Sequence, residues 1–231
     1  MIFRQLFDPE TSTYTYLVAD ETTREAALVD PVLEHVDAYV ALLDQLGLRL
    51  VWALDTHVHA DHVTGAGALR ERLGAKTVVG EGANVACADV HAAHGQVFRV
   101  GDLELEARLT PGHTSADVVY VMRDRVFTGD TLFIGGCGRT DFQQGDAGRL
   151  YDGLHANVFS LPPDTLVYPG HDYKGDTVST VKQELAKNPR LGGGRTRDEF
   201  VRIMDALDLP YPKHIDRALP ANQACGTTPQ G

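Results

Sequence analysis

Hydrophobic and polar residues alternate along the first part of the chain in a way that predicts strands. IFRQLF and TYTYLVA show this alternation, and EAALVD follows as a third run of strand length. From Val36 the apolar residues recur at helical spacing, which predicts a helix that ends at Gly47. The next apolar run, LRLVWALDT, again has strand length and leads directly into the polar stretch THVHADH at residues 56–62.

The remaining pattern mixes helices with hairpin-like strands. A helix ending at Gly74 precedes the strand KTVVG, and four strand-like runs fill residues 95–130. Helices follow near 147–159, at VSTVKQELAK and near 197–207, and the last residues predict extended chain punctuated by proline. This order predicts an α/β (α+β) fold with sheets inside and helices outside. We expect a single domain over residues 1–231, with a helical and extended appendage at about 190–231.

Composition and charge narrow the range of functions. The chain is 43% hydrophobic and 23% charged, as in a globular protein. Its net charge of −11 would repel a phosphate backbone, and the sequence has no basic stripe, so we expect no nucleic-acid partner. No apolar run reaches the roughly 20 residues of a membrane span. The three cysteines, Cys87, Cys137 and Cys225, are few and widely spaced, which argues against a disulfide framework. With no signal-peptide pattern at the start, we expect a cytoplasmic protein.

The stretch THVHADH carries the clearest chemistry. It places His57, His59, Asp61 and His62 within six consecutive positions. Packing three imidazoles and a carboxylate together without a cation is electrostatically costly. The cluster therefore predicts a metal site.

Three further polar residues each follow an apolar strand-like run beside glycine or proline. His113 lies in TPGHTSAD, Asp130 in FTGDTL and His171 in VYPGHDY. For each residue taken alone, an ordinary hydrogen-bonded or surface position is the better interpretation. Together they add donors that suit zinc or iron at the ends of strands, where loops converge.

The order H-x-H-x-D-H followed by separate H, D and H is similar to the metallo-β-lactamase superfamily. This resemblance covers residues from about 12 to 180 and implies an αβ/βα sandwich with metal between the sheet edges. It also implies two metal sites, the first formed by His57, His59 and His113, the second by Asp61, His62 and His171, with Asp130 bridging.

A second resemblance is more specific. The loop GGCGRTDFQQGD at 135–146, together with YPGHDYKGDTVSTV, NPRL and LPANQACG, closely resembles the persulfide dioxygenases. The resemblance implies one Fe(II) per chain, held by His57, His113 and Asp130. It leaves His59, Asp61, His62 and His171 beside the site without a second metal. The implied reaction converts glutathione persulfide, O₂ and water to glutathione and sulfite.

The same resemblance implies how the substrate is bound. Arg139 and Tyr173 look like glutathione contacts, and arginine suits a carboxylate because its planar fork can bind bidentately. Lys174 and Arg217 are weaker candidates, for which solvated surface charge is the better interpretation. Asp30 is expected to brace the site. Cys137, a lone cysteine between glycines, is expected to be structural.

Two other functions stay open. A glyoxalase II-like thioesterase would use two metals to hydrolyse S-lactoylglutathione and would employ all seven donors. A metal-stabilised binding protein without turnover would also keep the fold, since fold alone does not fix function. The sequence is compatible with a homodimer. We expect a separate sulfurtransferase or free persulfide to supply the sulfur, because no rhodanese-like segment is attached.

Overall fold

A computed structural model describes residues 1–226 and consists of two six-stranded sheets packed face to face, with helices on the outer faces. The strands are β1 (Ile2–Asp8), β2 (Thr13–Ala19), β3 (Glu25–Val29), β4 (Arg49–Leu54), β5 (Lys76–Gly80), β6 (Val90–Ala92), β7 (Val97–Val100), β8 (Leu103–Leu109), β9 (Val118–Val121), β10 (Arg125–Gly129), β11 (Leu166–Pro169) and β12 (Ser179–Thr180). The helices are α1 (Val36–Leu46), α2 (Ala66–Leu73), α3 (Ala147–Asn157), α4 (Val181–Lys187), α5 (Arg197–Asp205) and α6 (Ile215–Gln223).

The two sheets differ in how their strands connect. The first has the order β1-β2-β3-β4-β5-β6, antiparallel from β1 to β3 and parallel from β3 to β6. The second has the order β12-β11-β10-β9-β8-β7 and is antiparallel except between β10 and β11. Parallel neighbours require crossover connections, and here α2 supplies one of them between β4 and β5.

The core has three layers of apolar packing. Between the sheets, an aromatic cluster that includes Tyr16, Phe98 and Phe127 is buried. On the outer face of the first sheet, α1 and α2 cover residues such as Leu28, and on the second sheet α3 and α5 cover residues such as Val126. The predicted α/β layering, an αβ/βα sandwich, is confirmed.

Most predicted helices are confirmed, and their ends have local causes. Gly47 adopts the left-handed conformation at φ 61° that ends α1, a conformation with little cost for glycine. Asp146 accepts a hydrogen bond from the Arg149 amide at the start of α3. Thr196 and Glu199 form a reciprocal capping box at the start of α5.

The prediction of extended chain after α5 is wrong for residues 215–223, which form helix α6. Pro220 lies inside this helix, and proline disfavours a helix interior because it lacks an N–H group. Burial of Ile215, Ala218 and Ala221 against the rest of the protein compensates for this local cost. The division into one domain with an appendage near 190–231 stays a prediction, and its last five residues lie outside the described part.

The sequence argues against a disulfide framework, and the structure has a single disulfide instead of such a framework. Cys87 and Cys225 are joined by a disulfide across a sequence separation of 138 residues, with Cα atoms 6.1 Å apart. Widely spaced cysteines argue only against a compact local framework, and the fold brings these two together. Cys137 remains free and buried. Among residues 1–226, no helix is long and apolar enough to cross a membrane.

Candidate metal centre

Four strand ends deliver the polar residues to one cleft. The loop of residues 55–64, here called the ligand loop, follows β4 and carries the cluster of THVHADH. His113 comes after β8, while Asp130 and His171 follow β10 and β11 almost directly. We call these seven side chains the metal centre: His57, His59, Asp61, His62, His113, Asp130 and His171.

The donor atoms of the metal centre lie close enough together to share an ion. Ligand atoms of His57, His113 and Asp130 all lie within 4.8 Å of one another, and the same holds for His57, His59 and Asp61. The ring centroids of His57 and His113 are 4.9 Å apart. The ring centroid of His59 lies 4.2 Å from the centroid of His57 and 4.2 Å from that of His62. The set implied for a single iron, His57, His113 and Asp130, is therefore compact, and so is a second set that includes His59 and Asp61.

Two backbone carbonyls set the tautomers of two histidines. His113 Nδ1 lies 2.6 Å from the Arg139 carbonyl oxygen, and His171 Nδ1 lies 3.2 Å from the Ser12 carbonyl oxygen. A carbonyl oxygen can only accept, so Nδ1 carries the proton in each ring. In each neutral ring, Nε2 then carries a free lone pair. This lone pair faces a second acceptor, because Nε2 of His113 lies 3.6 Å and Nε2 of His171 lies 3.4 Å from the carboxylate of Asp130. A cation between imidazole and carboxylate satisfies both acceptors.

Carboxylates and hydroxyls hold the ligand loop from behind. Asp30 accepts hydrogen bonds from the Thr56 amide and hydroxyl, and its Oδ1 lies 3.1 Å from His59 Nε2. Thr13 Oγ1 donates to Asp61 Oδ2, which also lies 2.7 Å from His62 Nδ1. The expected bracing by Asp30 thus takes the form of three direct contacts with this loop.

Three buried polar atoms of the metal centre have no hydrogen-bond partner among residues 1–226: His59 Nδ1, His62 Nε2 and Asp130 Oδ1. A buried polar atom without a partner costs about 1–3 kcal/mol, and native proteins rarely leave several in one place. All three are good donors to a metal ion. The residues present therefore fit a bound metal.

The electrostatic environment also favours a cation. Burial alone would lower the pKa of His59, but the neighbouring carboxylates of Asp30, Asp61 and Asp55 raise it to about 10. Burial, together with His59 and His113, holds the pKa of His57 well below its usual value. A neutral His57 imidazole can coordinate a metal at neutral pH, and the surrounding carboxylates offset the charge of the ion.

Five side chains of the metal centre form the floor of a cleft of about 710 Å³: His57, Asp61, His113, Asp130 and His171. The walls above it come from two segments, residues 133–143 and 209–214, which we call the cleft mouth. Phe133 packs edge-on against the His171 ring, at 5.9 Å between centroids, and brings an apolar surface next to the floor. The cleft is therefore large enough for a small organic substrate, with polar chemistry at its base.

The predicted substrate contacts occupy different positions at the cleft. Arg139 forms a bidentate ion pair with Asp141 and donates from Nη1 to the Pro210 carbonyl oxygen. Tyr173 is 71% exposed and its ring stacks on His171. Lys174 lines the cleft, whereas Arg217 is paired with Glu34.

Two supporting residues were not predicted from the sequence. Asp117 is buried and accepts hydrogen bonds from the amides of His113 and Thr114, which fixes the turn that presents His113. Asn222 in α6 contacts the ligand loop from the far end of the chain. The aspartate in TPGHTSAD could have indicated the first, because short polar side chains often bind nearby amides in turns. No local pattern indicates the second.

The fold and the donor set define a metal-binding protein of the αβ/βα sandwich class. The family described as "Metallo-beta-lactamase superfamily" matches residues 8–171, and the chain belongs to that superfamily. Within it, the chain belongs to the family of the persulfide dioxygenases. It is 50% identical over 229 residues to the human protein named "Persulfide dioxygenase ETHE1, mitochondrial", covering 98% of this chain and 89% of the human one.

Solved structures agree with this placement. The crystal structure of ETHE1 from Myxococcus xanthus superimposes with a TM-score of 0.96 at 55% identity, covering 98% of this chain and all of the other. A more distant structure, TTHA1623 in a di-iron-bound form, has a TM-score of 0.66 at 28% identity and covers 82% of this chain and 99% of that one. The metal centre of this chain is therefore embedded in a fold whose relatives include an iron-bound protein.

Proposed function

We propose that the protein is a persulfide dioxygenase that oxidises glutathione persulfide with O₂ and water to glutathione and sulfite. The sulfane sulfur gains three oxygen atoms, two from O₂ and one from water, and two protons are released. The observation that carries the proposal is the similarity over 98% of the chain to the human persulfide dioxygenase, at 50% identity, which the fold of ETHE1 from Myxococcus xanthus supports at a TM-score of 0.96.

We propose that His57, His113 and Asp130 hold one Fe(II) per chain. Two imidazoles and one carboxylate on one face of an ion leave open positions for substrate and O₂. When bound, Fe(II) supplies the redox chemistry that O₂ requires and that zinc, which has no redox change, does not supply. The compactness of this triad, within 4.8 Å, and the unpartnered Asp130 Oδ1 support the assignment.

The remaining residues of the metal centre would position water and protons. The reaction consumes one water molecule, and we propose that His171 accepts a hydrogen bond from it at Nε2. Support comes from the Ser12 carbonyl, which fixes the protonated nitrogen of His171 on the opposite side of the ring. His59, which is held by Asp30, is the second candidate for this role.

The cleft mouth would bind the glutathione part of the substrate. Arg139 is the proposed partner for a glutathione carboxylate, although in the free protein Asp141 already occupies both arms of its guanidinium fork. Binding would therefore exchange one carboxylate for another at nearly constant charge. Tyr173 is the second proposed contact because its exposed ring stands above His171.

The deciding experiment is oxygen consumption by protein reconstituted anaerobically with Fe(II), with glutathione persulfide as substrate. Persulfide-dependent uptake with sulfite formed would support the proposal. Zinc-loaded protein is the control, because zinc binds the same donors without redox chemistry. If protein that retains stoichiometric iron shows no O₂ uptake, the proposal is overturned.

A second candidate function is a binuclear thioesterase that hydrolyses S-lactoylglutathione. It is favoured by one observation: His59 Nδ1 and His62 Nε2 are unpartnered, and His57, His59 and Asp61 form a second compact donor set. This function requires two metal ions per chain and cleavage of the thioester by the zinc form. Metal analysis and a thioester assay on the same preparation distinguish it from the dioxygenase.

Partners and location complete the proposal. We propose a homodimer supplied with persulfide by a separate sulfurtransferase, to be tested by light scattering and by coupled assay. We propose a cytoplasmic location, where glutathione is the main thiol, although the human relative is named as mitochondrial. The Cys87–Cys225 disulfide weighs against a reducing compartment, so cell fractionation with alkylation of free thiols is the test.

A further inference from the structure

The side chain of Asn222 hydrogen-bonds to the backbone of the ligand loop. It is 3% exposed and lies in α6, about 160 residues away in sequence from the loop it contacts. Its Nδ2 donates to the carbonyl oxygens of His59 and His62, at 2.8 and 2.9 Å, and its Oδ1 accepts from the Thr64 amide at 2.8 Å. One buried amide thus binds three backbone groups within six residues.

These contacts fall where the ligand loop has no regular structure of its own. The loop joins β4 to α2, and within residues 1–226 Asn222 is the donor found for the carbonyls of His59 and His62. The backbone directions at 59 and 62 set where the two imidazoles point. Those imidazoles carry the unpartnered Nδ1 and Nε2 atoms that face the metal centre.

The segment that carries Asn222 is itself firmly attached. The disulfide joins Cys225 to Cys87, and a Cβ atom at Gly67 would collide with the Cys225 carbonyl oxygen, so this turn lies directly against α2. The two ends of the ligand loop are therefore fixed by β4 and α2, and its middle is fixed by Asn222. None of these three attachments touches the metal position itself.

We propose that Asn222 is a positioning residue for the metal centre: by holding the backbone of residues 59–64 it fixes the loop that carries His57 and sets where the imidazoles of His59 and His62 lie in that centre. The segment LPANQACG, which contains Asn222, then has a structural function: it supports the ligand loop. The inference rests on the presence of a metal site and is independent of which reaction the metal serves.

The test replaces Asn222 with aspartate, which keeps the acceptor for Thr64 but removes both donors and places a carboxylate against two carbonyl oxygens. Co(II) is the probe, read by its visible absorption spectrum and by its dissociation constant in competition with a chelator. Changes beside first-layer ligands typically cost 10–100-fold in metal affinity. We expect Asn222→Asp to weaken Co(II) binding by about tenfold or more and to alter the absorption bands.

Asn188→Asp is the matched control. Asn188 is also 3% exposed, donates to the Gly136 carbonyl and accepts from two backbone amides, but it does not contact the ligand loop. Both variants should lower the unfolding midpoint of the metal-free protein, and only Asn222→Asp should change Co(II) affinity and spectrum. Wild-type affinity and spectrum in folded Asn222→Asp would overturn the proposal.

If Asn222→Asp does not fold, Asn222→Ser serves for the same comparison, because the shorter side chain gives up these contacts without placing a charge against the two carbonyl oxygens. Its Co(II) affinity should fall in the same direction by a smaller factor, and an unchanged value would again overturn the proposal. These measurements use neither persulfide nor O₂. The positioning role of Asn222 and the dioxygenase function can therefore each be confirmed or overturned independently of the other.

Discussion

The floor and the mouth of the cleft are built on different principles. At the floor, every histidine of the metal centre is less than 9% exposed, and carboxylates, carbonyls or hydroxyls of neighbouring loop residues fix its orientation. At the mouth, the walls are loops, with Tyr211 60% exposed and Arg139 tied to a nearby aspartate and a backbone carbonyl. The floor is made for a fixed ion, and the mouth can adapt to a ligand.

This contrast separates the residues that would bind the metal from those that would bind the substrate. Precise placement of donors requires side chains held by several partners on rigid elements, as at the ends of β4, β10 and β11. A site that admits and releases an organic molecule needs groups that can exchange partners. We therefore expect changes at the floor to act on metal content, and changes at the mouth to act on substrate affinity.

The largest effect is expected from Asp130→Ala at the floor. It removes the only anionic member of the proposed iron triad, so metal affinity should fall by at least about 100-fold, the upper end of the cost for residues that merely support a ligand. Iron content after anaerobic reconstitution, measured by elemental analysis, checks this. Persulfide-dependent O₂ uptake should disappear with the iron.

Asp61→Ala is the comparison that gives this result its meaning. Asp61 contacts Thr13 and His62 and lies outside the proposed triad. With one iron per chain, this variant should retain metal, whereas a binuclear centre would lose metal in both variants. Equal loss would count against the single-iron assignment and in favour of the thioesterase.

The next effect concerns the support behind the floor. Breaking the Cys87–Cys225 disulfide, by reduction or by Cys87→Ser, should lower the free energy of unfolding by about 2–4 kcal/mol, since the bond closes a long loop. Urea unfolding with and without dithiothreitol measures it. Cys87→Ser is its own control, because it should not respond to reductant. Two free thiols at positions 87 and 225 in unreduced protein would contradict the bond.

The two regions also differ in how well the sequence predicts them. Helical spacing predicts α1 because its apolar face, with Val36, Tyr39 and Leu43, is buried. Alternation predicts β1 and β2, although all seven residues of β2 are buried. Four of the seven donors stand in one short stretch and indicate a metal by themselves. His113, Asp130 and His171 are ambiguous one by one, and only the fold or a family resemblance brings them together.

Long-range support is the part that local reasoning misses. Asn222 and the Cys87–Cys225 pair act across 138 or more residues. The segment LPANQACG is part of the family resemblance, but no local pattern shows what Asn222 or Cys225 contacts. Helix α6 was predicted as extended chain because Pro220 suggests a helix break, although tertiary packing overrides that local preference. The chemistry of the floor is thus readable from the sequence, while what holds it in place is not.

At the mouth, Arg139→Met should raise the KM for glutathione persulfide by about tenfold, since a hydrogen bond to a charged group contributes about 1.5–3 kcal/mol. The value of kcat should change little, because the interaction is the same in ground and transition states. Arg99→Met, which removes an exposed arginine paired with Glu104, is the matched control for charge. A loss of iron in Arg139→Met would instead place this residue in the support of the floor.

The smallest effect is expected at Cys137, a buried residue of the cleft mouth. Burial raises the pKa of its thiol to about 11, so at pH 8 only about one molecule in a thousand carries the reactive thiolate. Iodoacetamide at pH 8 should leave Cys137 unmodified in the native protein and label it after unfolding, as mass spectrometry of the peptide would show.

The labelling of Cys137 in the native protein should increase with pH. Below the raised pKa the neutral thiol dominates, so native labelling should increase only as the pH rises towards 11. Cys137 packs against Met204, with sulfur atoms 3.7 Å apart, and Cys137→Ala should therefore cost stability while keeping kcat/KM within about twofold of wild type. Rapid labelling at pH 7, or a large loss of kcat/KM in folded, iron-loaded Cys137→Ala, would make this cysteine part of the reaction instead of the packing beneath the mouth.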